Sequence, residues 1–468
     1  MSFAACLALF ALLAPQDPAR LLPVPEGWTY ERLALPPGFA PEIAWNGVED
    51  LSFAPGMFDT AAPGYFSYAM ALSFEDDAPL DAPALERFLG SYYGGLYRAV
   101  AEGKAFANAG AKHVARVTPA GDRFRAHLST FDAFTDGRAL ELDLELDVHA
   151  TARGTELLGL VSPKPADAPI WKELRTLGDA WRAARPPAVF LNHVYVVVDR
   201  PTYDALATSK FLREEFAFTE ERAFDQSELG QRGLFLYGRR TFLEFVPVDG
   251  TGRDFGAVGI ALGVERADGL DVLSKRLAAQ GTPATKNAHT RELAGKQVPW
   301  FDLLGLGRPS TQVDLVALQY DARFLAAWRP EVAPKEPSLA RADVLARYAS
   351  VAKQTELRDS ALFGDVKAVV LPLDDAARPL ASRTFELLGY QVQAPEWIAG
   401  RPKAPETLMR PLACVGPQFR VVLPPLEVAK VAIGFELALT RAVERAPMRF
   451  GKAELTFSGR FARLSLDR

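Results

Sequence analysis

Leu140, Leu142, Leu144, Leu146 and Val148 alternate with Glu141, Asp143, Glu145 and Asp147. A period of two puts the apolar set on one face of a strand and the acids on the other, so residues 140–148 are predicted as a strand with one buried and one wet face. A second strand is predicted over 65–74. Between the two, Leu85, Phe88, Leu89, Tyr92 and Leu96 recur at helical spacing, with Asp81 placed to cap the start. Ile170, Leu174, Leu177 and Trp181 form the stripe of a closing helix. Residues 22–185 therefore read as an α+β domain, an antiparallel sheet with helical cover. Its three histidines, His113, His127 and His149, match no metal-ligand spacing and are read as structural.

The run Ala183-Ala184-Arg185-Pro186-Pro187 breaks the pattern and marks a linker. Beyond it, residues 190–198 are β-branched and aromatic and predict a strand. A helix follows Pro201 and runs to 216, and strands are predicted over 217–224, 233–239 and 241–248. The order is βαβββ, and it recurs: a strand over 258–264, a helix over 268–280, then strands over 283–293, 298–305 and 313–321. Phe242-Leu243-Glu244-Phe245 and Ala317-Leu318-Gln319-Tyr320 stand at corresponding places in the two copies. An amphipathic helix is predicted over 339–352. After it come a strand and helix within 365–388, strands near 411–415 and 419–423, and three more near 430–440, 449–457 and 461–466. These read as a third copy and a degenerate fourth that lacks its helix, over 338–468. The fold class is α+β, an antiparallel-sheet domain followed by tandem βαβββ modules.

The chain has 468 residues, 49% hydrophobic and 24% charged, with a formal net charge of -5. That is the composition of a folded globular protein without the basic face of a nucleic-acid binder. Residues 3–14 are apolar, too short to span a bilayer and of the length of a signal-peptide core. The expected leader is 1–21, and the expected location periplasmic or extracellular; with a misassigned start the alternative is cytoplasmic. No later stretch is long and apolar enough to cross a membrane. Loss of Cys6 with the leader leaves Cys414 alone, so no intramolecular disulfide can form. No Gly-x-Ser-x-Gly, His-Glu-x-x-His or Cys-x-x-Cys occurs.

A duplicated unit of this kind can close into a cup with His193, Glu244 and Gln319 pointing inside. Strand parity places Tyr195 on the face of His193, as a hydrogen-bond donor to the ligating groups or a proton-transfer group. Trp300, Tyr320, Phe324 and Trp328 are candidates for a pocket lining, or for packing at the sheet ends. The alternative to a site is that the imidazole and carboxylate satisfy each other inside the cup.

Tandem βαβββ units with His on the first strand and Glu on the fourth resemble the vicinal oxygen chelate superfamily, which includes glyoxalase I, extradiol dioxygenases and bleomycin-resistance proteins. The stretch LNHVYVVVDRPTYDALATSKFLREEFAFTEERAF, followed by GLFLYGRRTFLEFVPVDG, is similar to uncharacterised glyoxalase-like proteins. The resemblance covers 189–330, which it makes one glyoxalase-like domain of two modules, and loosely 331–468. It implies glyoxalase-like curved sheets and metal ligands at His193, Glu244 and Gln319, with Glu244 and Tyr195 as catalytic groups. The fourth ligand position falls near Gly259, which has no side chain to offer, and the third module carries Ala368 at the comparable strand. Imidazole, carboxylate and amide suit Zn, Fe, Mn or Ni. The implied function is an exported protein that binds or transforms a small oxygen-bearing molecule, by isomerase, lyase or dioxygenase chemistry. The alternative is a metal-free ligand-binding or scaffold protein.

Overall fold

The computed structural model describes residues 20–75, 80–108, 110–120, 123–151, 154–223, 232–249, 251–282, 284–293, 295–327, 339–393, 411–427, 429 and 431–467. The leader expected over 1–21 lies, up to residue 19, outside them, as does Trp328. No helix among the described residues is long and apolar enough to cross a membrane. The chain forms two compact units, the first ending at Ala184 and the second built chiefly from Arg185 onward.

The first unit contains β1 (Thr29–Leu35), β2 (Gly47–Phe53), β3 (Tyr68–Phe74), α1 (Ala82–Ala101), β4 (Val114–Ala120), β5 (Arg123–Phe131), β6 (Ala139–Thr151), β7 (Gly154–Ser162) and α2 (Pro169–Ala183). They make a seven-stranded sheet in the order β1-β2-β3-β7-β6-β5-β4. Helix α1 starts where the Asp81 carboxylate accepts the Ala84 N–H at 2.8 Å. Its Leu85, Phe88, Leu89 and Tyr92 pack with Met70, Leu72, Leu142 and Leu144. The alternate residues Ala69, Ala71, Leu158 and Leu160 pack with Ile170, Trp171, Leu174 and Trp181 of α2. Strand alternation thus serves a helix on each face. The acidic face of β6, expected to be wet, is partly covered: Glu145 pairs with Arg175 of α2 at 2.7 Å, and Asp147 with Arg182 at 2.7 Å.

The second unit opens with β8 (Val189–Val198), α3 (Arg200–Thr208), a π-helical turn (Leu212–Phe216), β9 (Phe218–Ala223), β10 (Arg232–Tyr237) and β11 (Phe242–Pro247). The next module is β12 (Val258–Val264), α4 (Gly269–Ala279), β13 (Lys286–Leu293), β14 (Lys296–Ser310) and β15 (Val313–Tyr320), and α5 (Ala322–Ala327) follows. The eight strands form one sheet in the order β13-β14-β15-β12-β8-β11-β10-β9. First strands β8 and β12 pair antiparallel at its centre, and each pairs in parallel with the fourth strand of its own module. This is the paired-module plan of a glyoxalase-like sheet.

A cover and a second sheet complete the unit. The cover is α6 (Arg341–Val351) together with α5; α7 (Thr355–Ser360), β16 (Phe363–Val370), α8 (Ala377–Leu387), β17 (Gln391–Gln393), β18 (Leu412–Gly416), β19 (Phe419–Leu423), β20 (Val431–Val443), β21 (Met448–Phe450) and β22 (Ala453–Asp467) follow. The sheet order is β17-β18-β19-β16-β20-β22-β21. β16 pairs in parallel with β19 and antiparallel with β20, as β8 does with β11 and β12. The last copy is reduced: β20 is flanked by the antiparallel β22 instead of a parallel fourth strand. The two strands expected at 449–457 and 461–466 are a short β21 and one long β22. One hydrophobic core joins the helix-facing sides of both sheets with α3, α4 and α8. Leu270, Leu273 and Leu277 of α4 are buried in it, each stabilising by about 2 kcal/mol relative to exposure.

Candidate functional site

Leu243 and Phe245 of β11 point into that core, so Phe242 and Glu244 point to the other face of the first sheet. Leu315 and Ala317 of β15 are likewise core residues, and Leu318 and Tyr320 lie opposite with Glu244. On β8 the face changes at Asn192, where the pairing with β12 slips by one residue between Ala261 and Leu262. Leu191 is core, and His193 lies on the far face beside Phe242. A cavity of about 220 Å³ stands over this face. Strands β10 and β14 add Phe235, Tyr237, Trp300 and Phe301 to its wall; α5 and α6 cover it with Phe324, Val344, Leu345 and Tyr348. Besides the hydroxyls of its tyrosines, the lining holds the His193 imidazole, the Glu244 carboxyl and the guanidinium groups of Arg222 and Arg291.

The His193 imidazole stacks on Phe242 with centroids 4.4 Å apart and 10° between planes. Its Nδ1 lies 2.9 Å from Asn192 Oδ1, and Asn192 also hydrogen-bonds the Tyr320 hydroxyl. An amide oxygen only accepts, so Nδ1 carries the proton and Nε2 keeps a free lone pair. Burial pushes the imidazole pKa down to about 4, which leaves it neutral and an acceptor at ordinary pH. Glu244 has no hydrogen-bond partner among the described residues. Desolvation raises its carboxyl to about 7, against the opposing pull of the Arg222 cation. Arg222 is committed elsewhere: its Nε donates to Glu220 at 2.8 Å and its Nη2 to the Tyr237 hydroxyl at 2.7 Å. It also bonds the Tyr348 hydroxyl, which donates to Glu220 and so ties α6 to β9.

Of the residues singled out in the sequence, His193 and Glu244 share the cavity, as diagonal neighbours on adjacent strands. Gln319 does not join them. It faces the helices, where its Oε1 accepts the Leu270 N–H at 3.4 Å and its Nε2 donates to the Arg266 carbonyl. Matching Leu-Glu-Phe to Leu-Gln-Tyr is one residue out of step, and in a strand one residue reverses the face. Tyr195 is not in the cavity wall. Its hydroxyl donates to Asp314 at 2.6 Å, in a cluster with Arg253 and Arg308. The Tyr195 ring also fills the space over Gly259: a Cβ there would lie 1.9 Å from Tyr195 Cε1. The fourth ligand position is thus occupied by a neighbour's ring. Trp300, Tyr320 and Phe324 do line the cavity, and His289 stacks on Phe301 with centroids 4.6 Å apart.

The residues present do not fit a resident metal. A closed ion site takes about four protein donors and a catalytic one about three. Here two line one cavity, no group of three His, Cys, Asp or Glu able to hold an ion occurs among the described residues, and two guanidinium groups line the same space. Arg222, Arg291, Phe242, Tyr237 and Tyr348 were missed in the sequence. Parity along β10 and β11, which puts Tyr237 and Phe242 on the face of Glu244, was the available signal for two of them.

A family model described as a family of unknown function (DUF5829) matches residues 191–398. No curated protein matches. Among solved structures the chain is similar to a catechol 2,3-dioxygenase at 13% identity and TM-score 0.29, over 51% of this chain and 67% of that one. It is similar to a Mn(II)-bound glyoxalase from Novosphingobium aromaticivorans at 13% and 0.28, over 52% and 63%. Glyoxalase I from Zea mays matches at 11% and 0.25, over 72% and 88%. Likeness at these TM-scores carries no argument of its own. The glyoxalase-like fold stands on the order and pairing of strands in the two modules.

Proposed function

We propose that the protein binds a small, flat, largely apolar molecule in the cavity of the first sheet, and that His193 and Glu244 receive its hydrogen-bond donor. The carrying observation is Glu244: set in an aromatic pocket beside the His193 imidazole, its carboxyl and the imidazole Nε2 have no hydrogen-bond partner among the described residues. Burying such a group without a partner costs free energy, and a ligand donor offsets that cost. A carboxyl near neutrality is also matched to moving a proton at physiological pH, so proton transfer on the bound molecule is the chemistry this pair can perform. No metal step is part of the reading.

The test is a thermal-shift and Trp-fluorescence screen of the full chain with small aromatic alcohols, acids and amines. Bound ligand at ~100 times its dissociation constant stabilises by about 2.7 kcal/mol. A ligand that raises the melting temperature of the parent protein and not of Glu244→Ala or His193→Ala is the expected result. Stoichiometric metal in the purified protein, lost in His193→Ala, would instead establish the metal-dependent alternative; no ligand response at all would leave a scaffold.

A further inference from the structure

We infer that the molecule taken by this cavity is a planar organic anion, one aromatic ring bearing a carboxylate, with Arg291 as the carboxylate's partner; this rests on the binding reading above. Two guanidinium groups line the cavity, and they differ. Arg222 is spent on Glu220, Tyr237 and Tyr348. Arg291, on β13, lies over the Trp300 ring at 5.1 Å, and no hydrogen bond or ion pair joins it to any described residue. Among the described residues the one carboxyl in the wall is Glu244, which has no ion pair there, with Arg291 or otherwise. A guanidinium laid over an indole keeps its N–H edge open, and that edge matches a carboxylate in two parallel bonds.

Shape and size agree with a single ring. The His193 and Phe242 rings, 10° from parallel, give one flat wall, and Trp300 and Phe301 meet edge to face at 66° in another part of the lining. An apolar cavity of ~150 Å³ admits benzene; this one, at about 220 Å³, has room for a ring with a substituent. Glu244 and His193 then meet the ring's other polar substituent, away from the carboxylate.

The test measures affinities of the full chain for benzoate, for benzyl alcohol as its neutral counterpart, and for acetate as the anion without the ring. The expected result is benzoate at least ~10-fold tighter than benzyl alcohol, with acetate not bound; a factor of ten is what one charge-assisted pair supplies. Arg291→Gln should abolish that preference and leave benzyl alcohol within about twofold, and Arg291→Lys should keep part of it, because a point charge replaces the fork. Equal affinity for benzoate and benzyl alcohol, or unchanged benzoate affinity in Arg291→Gln, overturns the inference and leaves the binding reading standing. Failure of both ring compounds to bind removes the two together.

Discussion

On the first sheet of the second unit, His193 stands between Phe242 on one neighbouring strand and Ala261 on the other. On the second sheet Ala368 stands between Arg420 and Glu436, whose side chains close an ion pair across its small methyl. Both sheets share the same central pairing, and their helix faces share one core. Their other faces were finished for different surroundings. The first is aromatic and lies under α5 and α6. The second carries half-exposed charge, 45% and 41% for the two side chains of the pair, and such groups need water. A repeated module supplies a curved platform; a covering segment is what turns the platform into a cavity. Here that segment falls between the two module pairs and serves the first.

If the cover makes the difference, loosening it is the largest perturbation available. Helix α6 is anchored by Arg341, 5% exposed, whose Nε lies 2.7 Å from Glu265 and whose Nη2 donates to Gln418 at 3.2 Å. It also bonds the Leu191 carbonyl and lies over the Phe190 ring at 4.4 Å. Arg341→Ala strips the buried Leu191 carbonyl and the part-buried Glu265 carboxylate of this partner, while Gln418 keeps Arg240 at 3.0 Å, and should cost roughly 3 kcal/mol in urea unfolding. Ligand response should disappear with it. Arg341→Met, which keeps the volume, should cost less. A loss below about 1 kcal/mol on the same scale would show that the cover holds without its anchor.

The next effect belongs to Glu244, the group that the covered face holds in apolar surroundings. Its folded pKa, about 7, stands above the ordinary 4.5, so the unfolded chain gives up its proton first as pH rises. Between 4.5 and 7 the folded state binds more protons, and stability falls with increasing pH until the folded group has ionised. At ~1.4 kcal/mol per unit, reduced by the group's contact with the cavity, the change is about 2–3 kcal/mol. Glu244→Gln, neutral at every pH, should remove this slope. The parent should approach or exceed the variant near pH 4.5 and fall below it near pH 8. Parallel melting curves across that range would place Glu244 in water and take away the main support for the site.

Much of this was legible in the sequence because it depends on short periods. The βαβββ order, the strands at 258–264 and 419–423 and the stripe of α2 follow from alternation and helical spacing; the pairing of His193 with Glu244 came instead from the repeated units and the resemblance, because plain alternation along β8 would have put His193 with Leu191 in the core. The failures have the same root. Gln319 was misplaced because Leu-Glu-Phe and Leu-Gln-Tyr match by residue type while the two strands present them one residue out of step, and only the strand's pairing fixes its face. Five strands of the first unit, β1, β2, β4, β5 and β7, escaped, β5 despite a readable alternation of Phe124, Ala126 and Leu128 with Arg125, His127 and Ser129, and the other four for want of one. Nothing local announces that Tyr348 of α6 will meet Glu220 and Arg222 of β9, more than a hundred residues back; that contact is tertiary.

The smallest effect tests the open face. Arg420 and Glu436 are paired at 2.5 Å but remain in contact with solvent, where ordering two long side chains offsets most of the attraction and salt screens the rest. Arg420→Ala should therefore cost about 0.2–1 kcal/mol, less in high salt, and should leave ligand response at the first sheet unchanged. The same pair under a cover would behave differently, because truncating one partner of a buried pair strands a charge and costs several-fold more. A loss above about 2 kcal/mol, insensitive to salt, would mean that the second face is shielded in the working protein, and the contrast between the two sheets would have to be drawn from their side chains alone.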